Sequence, residues 1–97
     1  MPLSLNWSET VYRVRTASQR VEKEIAALPQ HARARVLEAI QKLAEDPRPR
    51  GVRKLMGEMG GAWRIRVGDY RILYDVDDEA QLVIILAALH RREAYRQ

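Results

Sequence analysis

The sequence predicts an α+β domain: an N-terminal strand, an antiparallel two-helix hairpin, then an antiparallel three-strand meander. Together they form one sheet with the helices on one face (β-α-α-β-β-β). Three observations carry this. Apolar residues recur at helical spacing through residues 17–28 and again through 32–43, with Leu28-Pro29 between the two runs. Trp63 to Tyr74 alternates with period two about a central Gly68-Asp69, the signature of a two-residue type II′ hairpin. Gln81 to Leu89 is an almost unbroken apolar run, as expected of a strand covered on both faces.

Residues 1–10 show no helical period and are assigned to an N-terminal extension, which leaves 11–97 for the domain. Tyr12-Arg13-Val14-Arg15 alternates and reads as the first strand. Thr16 and Gln19 have the spacing of a capping box, ahead of the stripe Ala17, Val21, Ile25 and Leu28. Pro29 suits the first turn of the next helix. Ala32, Val36, Ile40 and Leu43 form that helix's apolar stripe, with Arg33, Arg35, Glu38 and Lys42 on its other face. Asp46-Pro47-Arg48-Pro49-Arg50-Gly51 stops the helix. Val52 to Met56 reads as a strand and Gly57 to Gly61 as a turn; an acidic turn, Asp77-Asp78-Glu79-Ala80, precedes the last strand.

The hairpin carries the strongest functional signal. Its loop pairs Val67 with Tyr70, Arg66 with Arg71, Ile65 with Ile72 and Arg64 with Leu73. Ile65 and Ile72 then share one face, and Arg64, Arg66 and Arg71 share the other. Like charges directly opposite each other destabilise a sheet, so Arg66 against Arg71 implies an anion to be held between them. With a four-residue loop at 77–80, Val76 faces Gln81 and Arg71 faces Leu86. The arginine face then continues through Leu82, Ile84, Leu86, Ala88 and His90, which puts His90 at the rim of the patch. A bulge would turn His90 to the other side.

Composition excludes several function classes. A chain of 97 residues makes one core. The absence of cysteine excludes a disulfide scaffold, a zinc ribbon and a thiol nucleophile. No apolar run has the length of a membrane span and no signal-peptide pattern opens the chain, so the expectation is a cytoplasmic protein. Net charge is +4, and of 17 basic side chains only Lys23, Lys42 and Lys54 are lysines. Arginine's planar fork suits phosphate, whereas lysine is a point charge. Asp75, Asp77, Asp78 and Glu79 read as a solvated turn rather than a metal site, since no second ligand cluster accompanies them. No phosphate-binding glycine loop and no Ser/His/Asp arrangement stands out.

The pattern resembles the RelE/ParE superfamily of bacterial and archaeal toxins from type II toxin–antitoxin systems. The resemblance rests on Leu28-Pro29, Leu43-x-x-Asp46-Pro47-Arg48, Lys54-Leu55, the hairpin Trp63 to Tyr74, and the tail His90-Arg91-Arg92-Glu93-Ala94-Tyr95-Arg96. It covers roughly residues 11–96. It implies a small toxin neutralised by an antitoxin, RelB-like, that wraps it. RelE-type members cut mRNA in the ribosomal A site without metal or cofactor; ParE-type members share the fold and poison DNA gyrase.

By resemblance, Arg64, Arg66, Arg71, Arg91 and Tyr95 match the positions of the RNA-cutting members. That favours an endoribonuclease, with ribosome and mRNA as partners and no membrane or small-molecule cofactor. Two alternatives stay open: a ParE-like gyrase inhibitor, and a degenerate member that only binds its antitoxin. Arg64 and Arg66 stand where lysines are frequent in the RelE-type pattern, and arginine does not readily give up its proton. Deprotonation of the 2′-hydroxyl therefore falls to Tyr95 or His90. Arg66 and Arg71 are expected to stabilise charge on the phosphate, Arg64 to position the backbone, Arg91 to serve the leaving oxygen and Lys54 to meet a phosphate. Trp63, Tyr70 and Tyr74 read as packing residues.

Overall fold

Gly68 takes φ +59°, and Gln81 is the only non-glycine with positive φ among the described residues, so Asp69 has an ordinary φ and the hairpin turns as the sequence predicts. The computed structural model describes residues 12–55 and 61–92. Its elements are β1 (Arg13–Thr16), α1 (Gln19–Ala26), α2 (Gln30–Leu43), β2 (Arg53–Lys54), β3 (Trp63–Val67), β4 (Tyr70–Asp77) and β5 (Leu82–His90). They build one five-stranded sheet in the order β1-β5-β4-β3-β2, with β1 parallel to β5 and the other pairs antiparallel. The expected meander is β3-β4-β5; the segment read as Val52 to Met56 adds the two-residue β2 at its edge.

Both helices pack on one face. Val21 and Ile25 of α1 and Val36, Ile40 and Leu43 of α2 join Ile72, Tyr74, Val83, Ile85 and Ala88 in a single core. These are the stripes that the 3.6-residue period marks out, except that Ala17 lies ahead of α1 and is exposed, and Leu28 lies past its end and is half-buried. No described helix is long and apolar enough to cross a membrane.

The helix starts differ from expectation. Thr16 does not cap α1: it ends β1, paired with Ile85, and its hydroxyl donates to Glu22 Oε2 at 2.9 Å. Ser18 is the N-cap instead. Pro29 likewise occupies the N-cap of α2, one residue ahead of its first turn.

The β3–β4 register agrees with the sequence reading pair for pair, from Val67↔Tyr70 to Arg64↔Leu73, and continues to Trp63↔Tyr74. The β4–β5 register does not. The connecting turn is 78–81, so Val76 pairs with Val83 and Asp77 with Leu82. That two-residue slip preserves the faces and keeps Leu82 and Ile84 on the arginine side. Further along, Tyr74 pairs with Ile85 but Leu73 pairs with Ala87, which leaves Leu86 as an extra residue on β5. This bulge inverts every later position: Arg71 faces Leu89 rather than Leu86, and His90 pairs with Tyr70 on the helix side. Glu24 Oε1 accepts the Ala88 N–H at 3.3 Å beside the bulge. The two faces of β5 are also unequal: Val83, Ile85 and Ala88 are buried against the helices, while Leu82, Ile84 and Leu89 are half-buried.

Candidate nucleic-acid interface

Trp63, Ile65, Val67, Tyr70, Ile72 and Tyr74 pack against or within the core, so alternation sends Arg64, Arg66 and Arg71 to the open face of the sheet. Arg53 joins them. It pairs directly with Arg64 across β2–β3, so the two side chains share a face. The sequence reading passed over Arg53. The signal was the strand at 52–56, once laid antiparallel to the hairpin across the glycine turn.

The three hairpin arginines sit at different depths. Arg66 is exposed, Arg64 half-buried and Arg71 only 3% exposed. Alternation fixes the face these arginines share but not their depth. β4 is the middle strand of five, so Arg71 is flanked by Arg66 on one side and Leu89 on the other. Its Nη1 donates to the Tyr70 carbonyl at 3.3 Å.

Arg91 lies at the hairpin tip. Its backbone N–H donates to the Asp69 carbonyl at 2.7 Å, and its guanidinium is 3.9 Å from the Asp69 carboxylate. Arg66, Arg71 and Arg91 thus gather at one end of the sheet. His90 does not join them. Its ring meets Tyr70 edge-on, 5.3 Å between centroids, and its Nδ1 accepts the Arg92 N–H at 3.2 Å. The expected place of His90 at the rim of the arginine patch is overturned by the bulge.

Lys54 also falls on the helix side. It pairs with Trp63, and its ammonium lies 5.5 Å from the centre of that ring. Arg48 sits over the same ring at 5.3 Å, so Trp63 is engaged by two cations. Tyr95 lies outside the described residues.

The aromatic residues expected to pack do so. Tyr74 is fully buried, and its hydroxyl donates to the Pro47 carbonyl at 2.7 Å. Burial pushes its phenol up to about 12. The acidic turn is tied down as well. Arg48 makes a two-pronged pair with Asp78, at 3.2 and 2.8 Å, and the Tyr12 hydroxyl donates to the same carboxylate at 2.6 Å. Those hydrogen bonds, Arg48's the larger, hold Asp78 below the usual carboxylate range. Asp77 accepts the Ala80 N–H and Asp75 the Val76 N–H.

Two shallow depressions, of about 300 and about 200 Å³, lie between the helices and Tyr70. Neither depression is lined by Arg64, Arg66 or Arg71. The guanidinium forks of the arginine face can give parallel N–H···O bonds to phosphate.

The chain is similar to known proteins in sequence and in fold. The model of the family described as "ParE toxin of type II toxin-antitoxin system, parDE" matches residues 11–95. Toxin RelG of Mycobacterium tuberculosis is 37% identical over 76 residues, 77% of this chain and 86% of that protein. A chain of the toxin–antitoxin complex RelBE2 from the same organism superposes with a TM-score of 0.74 at 34% identity, covering 84% of this chain and 99% of that one. A chain of the archaeal RelE–RelB complex from Pyrococcus horikoshii OT3 gives a TM-score of 0.72 at 36% identity, covering 84% and 96%.

Proposed function

This chain belongs to the ParE toxin family of type II toxin–antitoxin systems, within the RelE/ParE superfamily, and from that premise we propose that it is a RelE-type, ribosome-dependent endoribonuclease that cleaves mRNA. The observation that carries this reading is the convergence of Arg64, Arg66, Arg71 and Arg91 on the open face and tip of the hairpin. Arginines in direct cross-strand opposition are a stability cost that a bound phosphate would reverse.

The reaction needs little covalent chemistry from the protein. The substrate's 2′-oxygen attacks the adjacent phosphorus in line and its proton passes to a base. The bond from phosphorus to the 5′-oxygen breaks and that oxygen takes up a proton. The products are a 2′,3′-cyclic phosphate and a 5′-hydroxyl. Arg66 and Arg71 stabilise the extra negative charge on the non-bridging oxygens as it develops. Arg91 serves the leaving oxygen and Arg64 contacts the RNA backbone, while Lys54, on the helix side beside Trp63, lies off this path. Arg71, held within the sheet, is already oriented, and such preorganisation is what charge stabilisation requires.

Tyr95 is the proposed base. His90, turned toward Tyr70 on the helix side, is set apart from the Arg66–Arg71 pair. Guanidinium groups supply the positive charge in this scheme, so chelation of divalent cations should leave the chemical step intact where ribosome integrity is maintained. The proposed partners are translating ribosomes with their mRNA, in the cytoplasm, and a RelB-like antitoxin that covers the arginine face.

The second reading, a gyrase inhibitor, is favoured by the family description itself, which names ParE. Primer extension on translated mRNA after induction separates the two. Wild type should produce A-site cuts. Arg71→Met keeps the buried volume but loses the charge, and it should stay folded while cutting about a hundredfold less or slower still. Intact A-site mRNA together with blocked gyrase supercoiling would overturn the nuclease reading.

A further inference from the structure

Arg53 is paired with Arg64 just as Arg66 is paired with Arg71, which gives two like-charge oppositions on one face. A single pair could be an accident of surface composition. Two pairs sharing β3 make a pattern, because each costs sheet stability on its own. Arg64 and Arg66 are two residues apart on one strand, so the pairs are stepped by about 6.6–6.8 Å, twice the rise per strand residue. We propose that Arg53 and Arg64 form a second phosphate subsite, one step along β3 from Arg66 and Arg71. The sheet would then hold two phosphates of one extended single-stranded RNA segment. This rests on the nuclease reading for its biological setting and deepens it by giving the substrate a path.

The charge layout of the open face fixes that path. Beyond the Arg64↔Leu73 row, β4 presents Asp75 and Asp77 on the same face, where they pair with Ile84 and Leu82. Both aspartates are exposed. Exposed Arg15 and Arg13 of β1 share those two rows, so the carboxylates there are matched one for one and that end carries no net positive charge to draw a polyanion. β2 is an edge strand carrying exposed Arg53, so among the described residues the RNA can leave the sheet there without crossing a carboxylate on this face. The segment therefore runs from the Arg66–Arg71 pair near the hairpin tip to the β2 edge. Phosphate contacts of this kind set register and affinity without reading sequence.

The test compares wild type with Arg53→Ala, Arg53→Lys and Arg13→Ala. Arg13 is an exposed arginine on the same face, but it belongs to β1 and lies across Leu82 from Asp77. In cleavage of mRNA on translating ribosomes, Arg53→Ala should raise KM about tenfold with kcat little changed, as expected from losing one charge-assisted hydrogen bond. Arg53→Lys should recover part of the loss, and Arg13→Ala should behave as wild type. Binding of a short single-stranded RNA, followed by fluorescence anisotropy, supplies a readout that does not depend on cutting. There Arg53→Ala should reduce the slope of log K against log salt by about 0.7.

Wild type that cuts, with Arg53→Ala unchanged in both KM and salt slope, overturns the subsite and leaves the nuclease reading standing. Wild type that does not cut, with Arg53→Ala still weakening RNA binding, overturns the nuclease reading and leaves the subsite. An Arg53→Ala variant that loses only affinity for an acidic antitoxin overturns the subsite as an RNA site.

Discussion

Replacing Tyr74 by phenylalanine removes one oxygen from the middle of the sheet and tests how the loop after α2 is fastened to it. The ring is fully buried and stays in place in the variant. What is lost is the 2.7 Å hydrogen bond to the Pro47 carbonyl. Pro47 is half-buried, so water can replace the donor in part. The expected cost is about 1 kcal/mol, which for a domain of this size lowers Tm by about 4–8 °C. The phenol supplies a second signature. Its ionisation is pushed up to about 12 by burial, above the ordinary tyrosine value of 10.0. A folded-state pKa raised in this way contributes stability that is fully present below the unfolded value and is lost as pH rises through the folded one. The Tm difference between wild type and Tyr74→Phe should therefore be constant below pH 10 and shrink between 10 and 12. Circular dichroism melts across that range measure the difference, and tyrosinate absorbance tracks the phenol directly. A variant that melts with wild type at neutral pH, or a Tyr74 that ionises in the ordinary range, would refute the reasoning.

Two further outcomes are expected. Arg66→Glu places a carboxylate on the exposed side of the arginine face, and it should weaken the complex with the cognate antitoxin more at low salt than at high; titration calorimetry at two ionic strengths checks this, and a salt-independent, unchanged affinity would remove the antitoxin from that face. Asp78→Asn should destabilise the fold modestly at neutral pH and not at all in strong acid: Asp78 is held below the usual carboxylate range by Arg48 and Tyr12, so its contribution is present above the unfolded value and lost as pH falls through the folded one. Melts that differ equally at both ends of that range would count against the Arg48–Asp78–Tyr12 cluster.

The hairpin was legible because its determinants are local. A glycine-first two-residue loop permits one register, and that register fixes the faces of Arg64, Arg66 and Arg71. The helices were legible for a similar reason: each stripe is complete within its own segment. β5 was not. Leu82 to Leu89 is apolar at every position, so no alternation marks which residues face the helices and nothing marks Leu86 as the extra one. Depth is a separate matter from face. Alternation puts Arg71 on the open side but does not set its depth: Asp75 and Asp77 on the same face of the same strand are exposed, while Arg71, between Arg66 and Leu89, is buried. Arg53 was within reach of the sequence, since pairing 52–55 against the hairpin sets it opposite Arg64.

The bulge decides more than the orientation of His90. Carried on without it, the register of Val76↔Val83 would pair Arg71 with Ala88 and set His90 beside Asp69. With it, Arg71 meets Leu89 and the residue that bonds to Asp69 is Arg91. One inserted residue thus exchanges a histidine for an arginine at the hairpin tip, next to Arg66 and Arg71. The insertion is tied to the helices, because the Ala88 N–H beside it is met by Glu24 of α1. An unmet N–H in that buried position would cost about 1–3 kcal/mol, so Glu24 favours the bulged register by meeting it. The charge of the open face is set in part from the opposite side of the sheet, by a glutamate on a helix that does not touch it.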